Sequence, residues 1–255
     1  LKSLSLFVEK DTTIHRMNPI SKIIYVFAAI VIPMLIGNHA SALLVALLSF
    51  MLLLWAQVFR KVIPLMGFSI LILFSIVVIQ GMYKEGNHTP LFTLGSIVFY
   101  QEGIWFSAEI CLQVLNMLEA FSLLVLTTKP PDLIESLVSK GLSPKFGYVL
   151  SSVLQIIPQM ATTMETIIDA QRSRGMKMEG NLLTRIRAFF PLIGPVVMTS
   201  LISVKERTMA LEVRCFTSKR KKTFLNVQQV TLQDKIFQGI MAICVAGSLL
   251  WRFVR

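Results

Sequence analysis

The sequence predicts an all-α membrane protein: about five transmembrane helices plus a cytoplasmic domain of long amphipathic helices. Three observations predict it. The composition is 54% hydrophobic and only 15% charged, with mean hydropathy +0.68, where soluble domains carry about 25% charged residues. Several apolar runs approach the ~20 residues that cross a bilayer. The positive charge is concentrated: residues 129–222 hold 15 Lys/Arg against seven Asp/Glu, so +8 of the net +11. Lys and Arg stay on the cytoplasmic side of a membrane, which places that stretch in the cytoplasm.

Residues 1–21 are polar and mixed, without the compact apolar core and small-residue cleavage site of a signal peptide. Asn18-Pro19 reads as a turn with Pro19 opening a helix, and the first span follows at about Lys22–Ile36. Gly37-Asn38-His39 connects it to a charge-free second span, about Ala40–Phe59. Arg60-Lys61 marks the return to the starting side, and a third span covers about Val62–Met82. In the next connection Leu91–Leu94 and Ile97–Tyr100 flank Gly95-Ser96, the pattern of a small hairpin or re-entrant loop.

The fourth span, about Gly103–Thr127, carries Glu109, Gln113, Asn116 and Glu119. Spacings of 4, 3 and 3 put all four near one helix face. Polar groups in a span turn inward. Such a face forms either a polar seam packed on a neighbouring helix or a path for protons or substrate. The seam is favoured, because no basic residue in the other spans completes a relay.

Lys129-Pro130-Pro131-Asp132 stops the span, and Asp132 is placed to cap a short helix over about Leu133–Lys140, ended by Gly141. Pro144 opens a long helix to about Arg174. Its apolar positions, from Phe146 through Val149, Val153, Ile156, Met160 and Met164, form one stripe, and its other side is polar. Another long helix spans about Leu182–Arg214. Two prolines, Pro191 and Pro195, and flanking charges, Arg185 and Arg187 among them, mark it as a helix under the membrane domain rather than a span. Ser218 and Lys219–Lys222 form a basic patch suited to anionic lipid, and a last span covers about Leu232–Phe253. Five spans put the amino terminus in the cytoplasm and leave Arg252 and Arg255 outside, against the charge rule. The domain division is therefore a membrane domain at 1–128, a cytoplasmic domain at 129–222, and a linker with the C-terminal span at 223–255.

Most catalytic classes find no footing. There is no phosphate loop, no H-E-x-x-H and no G-x-S-x-G. Cys111, Cys215 and Cys244 match no metal or disulfide spacing, and the basic stretch has no nucleic-acid recognition motif. What stands out is that both long helices end in a short arginine motif: Ser173-Arg174-Gly175 and Val213-Arg214-Cys215. An arginine fork pairs bidentately with carboxylates and keeps its charge when partly buried. It also simply complements a helix C-terminus. The pattern alone leaves both readings open.

Residues 127–216 resemble the transmembrane T component of energy-coupling factor transporters, importers of vitamins, vitamin precursors and metal ions. The resemblance rests on Thr127-Thr128-Lys129-Pro130-Pro131-Asp132-Leu133, on Ile157-Pro158, on Ala170-Gln171 before Ser-Arg-Gly, and on Ala210-Leu211-Glu212 before Val-Arg-Cys. Asn18-Pro19 before Lys22 is similar to the family's Asp-Pro-Arg-x-Lys entry to its first span. The resemblance implies a multi-pass scaffold in the bacterial inner membrane that binds no cofactor of its own. ATP and Mg are held by two cytoplasmic ATPases, and a separate membrane S component binds the substrate. It implies that Arg174 and Arg214, flanked by Ser173, Gly175, Val213 and Cys215, dock one ATPase each. It also implies that Val149, Val153, Ile156, Met160 and Met164 face the S component. The family pattern at both tips is Ala-Arg-Gly, so Ser173, Val213 and Cys215 depart from it. The alternative is an autonomous secondary transporter or channel that uses the Glu109–Glu119 face.

Overall fold

A computed structural model describes residues 7–84, 88–94, 97–176, 182–218 and 231–254. They divide into two compact units, one of residues 138–218 and one of residues 7–137 with 231–254.

The larger unit is a helix bundle. After the single turn α1 (Thr13–Arg16), α2 runs Pro19–Ile36. Asn18 caps it, with Oδ1 accepting from the Ile20 N–H at 3.0 Å, and Pro19 supplies a pre-set φ at the first position. Gly37, at φ +59°, ends it. α3 (His39–Trp55) stops four residues short of the expected Phe59, because Ala56-Gln57-Val58 turns the chain with Gln57 at φ +55°. α4 (Phe59–Tyr83) then leads to an antiparallel hairpin, β1 (Pro90–Leu94) with β2 (Ile97–Tyr100), in register Thr93↔Val98 and Leu94↔Ile97.

α5 (Gln101–Thr127) is the central helix and packs on α2, α3 and α4. Its first turn lies so close to α4 that a Cβ on Gly103 would collide with the Gln80 carbonyl. α9 (Leu232–Val254) packs on α2. The buried apolar core joins Tyr25, Val26 and Ala29 to Leu53, Val58 and Val62 and to Ala120 and Leu123. Among the described residues, four helices are long and apolar enough to cross a membrane: Pro19–Ile36, Phe59–Tyr83, Gln101–Thr127 and Leu232–Phe253. α3, apolar over 17 residues, falls just short of the same length. The outward faces of these helices are apolar, as lipid requires: Phe68, Leu71 and Phe74 of α4 are each about 70% exposed.

α6 is Pro130–Ser139, starting three residues before the expected Leu133. Pro130 is itself the first helical residue, so Asp132 lies inside the first turn and is not the cap. There its carboxylate still favours the positive end of the helix.

The smaller unit is a pair of long helices, α7 (Pro144–Ser173) and α8 (Leu182–Val213). Both run continuously through internal prolines, Pro158 in α7 and Pro191 and Pro195 in α8. They are antiparallel. Tyr148 meets Phe216, Gln159 meets Arg207, and Thr163 lines a groove with Thr199 and Ser200, so residue numbers rise on one helix as they fall on the other. The side chains of Arg185 and Arg187, and the basic residues Lys219–Lys222, lie outside the described residues.

Candidate functional site

The two arginine motifs close with the same pair of backbone hydrogen bonds. At the end of α7 the Met176 N–H donates to Gln171 O at 3.1 Å and the Gly175 N–H to Arg172 O at 2.9 Å. At the end of α8 the Phe216 N–H donates to Leu211 O at 3.0 Å and the Cys215 N–H to Glu212 O at 2.9 Å. Each is the nested six-to-one and five-to-two pair of a Schellman cap. In both, arginine is the last half-helical residue and the residue after it is left-handed: Gly175 at φ +87° and Cys215 at φ +56°. Glycine adopts that conformation freely and cysteine does not. The third position of each motif is thus the turn of the cap, and the second tip holds it under a strain of about 1 kcal/mol.

The arginines are available. Arg174 and Arg214 are exposed, and neither side chain makes a hydrogen bond or ion pair among the described residues. By contrast Arg172 pairs with Asp169 at 3.7 Å. The Ser173 hydroxyl is folded back, donating to Asp169 O at 3.0 Å, so this departure from alanine presents no free polar group. Val213 is 84% exposed beside Arg214. Because Arg214 lies near Tyr148 at the root of α7, the two tips stand about 25 residues apart along α7. That is roughly 35–40 Å at ~1.5 Å per residue.

The helix pair leaves many apolar side chains exposed. The faces that meet mix apolar and polar side chains: Ile156, Gln159, Met160 and Thr163 on α7, and Thr199, Ser200, Ser203, Val204 and Arg207 on α8. Arg207 donates to Gln159 Oε1 at 3.3 Å. The apolar stripe of α7 points away, with Phe146, Val149, Val153 and Ile157 exposed, and α8 exposes Val197, Met198 and Leu201. Of the five stripe positions expected to meet a partner, Val149, Val153 and Met160 are exposed. Ile156 and Met160 line the groove with α8, and Met164 is half-buried. Apolar side chains exposed along both helices suit a protein or membrane surface rather than water.

In the bundle, two motifs far apart in sequence meet. Lys22 is 3% exposed. Its Nζ donates to Thr127 O at 2.8 Å and Thr128 Oγ1 at 3.4 Å, joining the first-span entry to the Thr127–Leu133 stretch. One residue earlier, Ser21 Oγ donates to Asp234 Oδ1 at 3.2 Å, as does the Asn18 N–H at 3.1 Å, while Asp234 Oδ2 accepts from the Thr231 N–H at 3.1 Å. Asp234 thereby caps α9 and fastens it to the start of α2. Sequence reasoning missed this residue. A T-x-x-D pattern at Thr231–Asp234 was the available signal, but it foretells the cap and not the partner 213 residues away.

A short N-terminal segment closes over the same end. The Val8 N–H donates to Leu126 O at 3.0 Å, and Lys129 reaches Glu9 at 3.3 Å and lies 5.1 Å from the Phe7 ring centre. His15 Nε2 is 3.1 Å from Val8 O and its Nδ1 is 2.7 Å from Thr12 Oγ1. Burial, and next the Lys22 ammonium, hold its imidazole below the usual 6.5.

The polar face of α5 is packed at its centre. Asn116 is buried, its amide donating to Ala29 O and accepting from Ser49 Oγ, which also meets the Tyr25 hydroxyl at 2.7 Å. Glu119 is buried with Oε2 unpartnered among the described residues, Gln113 is half-buried, and Glu109 lies 4.0 Å from His39. The sequence reading saw no basic residue to accompany this face. The structure places Lys22 in the bundle beyond its Glu119 end and His39 beside Glu109.

Comparison with known proteins adds the remaining evidence. A family model described as CbiQ, cobalt transport protein, matches residues 10–224. Among curated proteins, the energy-coupling factor transporter transmembrane protein EcfT of Lactococcus lactis subsp. cremoris is 27% identical over 260 residues, covering 96% of each chain. EcfT of Clostridium kluyveri is 25% identical over 261 residues, covering 98% of this chain and 96% of the relative. EcfT of Exiguobacterium sibiricum is 26% identical over 253 residues, covering 95% and 94%.

Proposed function

This chain belongs to the CbiQ family of cobalt transport proteins, and we propose that it is the membrane scaffold of an energy-coupling factor importer in the bacterial inner membrane. Two partner ATPases bind ATP and Mg and do the hydrolysis; this chain does no chemistry. A separate membrane S component carries the vitamin, vitamin precursor or metal ion. Residues 1–128 and the C-terminal span anchor the chain, and residues 129–222 transmit force.

The observation that carries this reading is the sameness of the two caps. Two long helices present an arginine, unpaired among the described residues, at the same position of the same type of cap, roughly 35–40 Å apart. Ordinary charge capping asks only for a cation near the helix end; it does not ask for the same pair of cap hydrogen bonds with neither guanidinium paired among the described residues. Arg174 and Arg214 each dock one ATPase; Ser173 and Gly175 are small flanks that let the first tip approach closely, and the bulkier Val213 and Cys215 make the second dock less tightly. The S component rides on the outward apolar stripe, of which Val149 and Val153 are the most open of the expected positions, with Ile156, Met160 and Met164 at its edge.

Nucleotide shifts such an assembly only through contacts that differ between its two states. Closure of the ATPase pair moves the two tips relative to each other while the arginine contacts hold, and that motion reorients the S component. The test is transport per ATP hydrolysed in reconstituted vesicles. Arg174→Ala and Arg214→Ala each lower the ratio, and the double variant lowers it further. A double variant that transports at the wild-type ratio refutes the reading.

A further inference from the structure

The two caps are alike in backbone but differ in what holds them. At the α7 tip the left-handed position is Gly175, which takes φ +87° without strain. At the α8 tip it is Cys215 at φ +56°, where a side chain resists the turn. The residue after Cys215 is Phe216, half-buried, whose ring packs on Tyr148 near the start of α7, with ring centres 5.1 Å apart and planes at 52°. That spacing lies within the range of favourable aromatic pairs. The Phe216 N–H closes the outer bond of the cap, to Leu211 O at 3.0 Å. One residue therefore closes the turn with its backbone and fastens it to another helix with its ring. Arg214 stands two positions earlier in the same turn.

We propose that Phe216 and Tyr148 are positioning residues for docking at Arg214: their ring contact fixes the direction in which the α8 tip presents its guanidinium. The inference rests on the coupling reading above and deepens it. The contact acts on one tip only, because Arg174 lies roughly 35–40 Å further along α7. The strained cap has an external clamp where the relaxed cap has glycine. A partner docked at Arg214 is thereby held in fixed relation to the root of α7.

A double-mutant cycle on binding of the purified ATPase subunits to the detergent-solubilised full chain tests this. In an Arg174→Ala background the remaining binding rests on Arg214, and Phe216→Ala weakens it at least tenfold. In an Arg214→Ala background Phe216→Ala changes binding less than twofold. Phe216→Tyr, which keeps the ring, restores binding in the first background. Tyr148→Leu breaks the same contact from α7 and reproduces the pattern, which covers the case in which Phe216→Ala does not accumulate. Equal weakening in both backgrounds overturns the inference, because it shows Phe216 supporting the whole unit. No weakening in the Arg174→Ala background overturns it as well, with the docking reading left standing. If Arg174→Ala and Arg214→Ala each bind like wild type, the docking reading fails and this inference falls with it.

Discussion

Replacing Cys215 with glycine should tighten the tip of α8, and placing a side chain at Gly175 should loosen the tip of α7 by a similar amount. Both positions are the left-handed residue of the same cap, at φ +56° and +87°. A Cβ built on Gly175 meets nothing within 4 Å among the described residues, so Gly175→Ala chiefly tests backbone conformation. An L-residue in that region costs about 1 kcal/mol relative to glycine, and at ~1.4 kcal/mol per tenfold this is about a fivefold change in the opening equilibrium of the cap. The reporters are the amides that close each cap, Cys215 and Phe216 at one tip and Gly175 and Met176 at the other. Hydrogen exchange in detergent, read by mass spectrometry on peptides covering these amides, should slow about fivefold in Cys215→Gly and quicken about fivefold in Gly175→Ala. If exchange at 215–216 is unchanged or faster in Cys215→Gly, the two motifs are not the same cap, and the explanation of the third motif position is wrong.

Three further outcomes follow from the bundle. Asp234→Ala leaves the Asn18 N–H, the Ser21 hydroxyl and the Thr231 N–H without their acceptor. It should cost about 3 kcal/mol or more, with Asp234→Asn losing less; thermal unfolding in detergent ranks them, and a wild-type melting temperature for Asp234→Ala contradicts the account. Gly103→Ala drives a methyl into the Gln80 carbonyl, whereas the nearest neighbours of a Cβ on Gly81 are side chains, the Phe99 ring at 3.0 Å and Ile104 Cγ1 at 3.7 Å. Overpacking against backbone should cost about 1–3 kcal/mol and exceed the effect of Gly81→Ala, and the reverse order in melting temperature refutes the close approach of α4 and α5. Because His15 is held below 6.5 in the folded chain, the unfolded segment takes the proton first. The N-terminal closure is therefore intact above 6.5, weakens as pH falls below it, and stops weakening once pH is under the folded value. Exchange over residues 7–17 should then be faster at low pH, after correction for intrinsic rates, and this difference should vanish in His15→Gln.

How much was legible in the sequence depended on whether a local signal carried the information. Ser-Arg-Gly announced the end of α7, because glycine at that place is what the turn requires. The end of α8 was placed through its arginine, but nothing local says that Cys215 adopts a left-handed turn. The hairpin was readable from two β-rich runs around Gly95-Ser96. The α3–α4 turn came early because Gln57, neither glycine nor proline, supplies the positive φ. Asp132 misled because Pro130 is itself a good first helical residue. Periodicity identified the stripe on α7 but not its direction: a stripe says that one face is apolar, and only the partner helix decides which face is covered. Here the groove with α8 takes in Ile156 and Thr163 together, while Val149 and Val153 stay exposed. The Lys22, Thr127 and Asp234 contacts span more than 100 residues, and no pattern in a single sequence foretells such pairings.

The most direct measurement is capture of the ATPase subunits by the tagged full chain in mild detergent, comparing wild type with Arg174→Ala/Arg214→Ala. The account predicts that wild type retains both ATPases and that the double variant, folded and present at the same level, retains neither. Retention of both at the wild-type level by the double variant would contradict it.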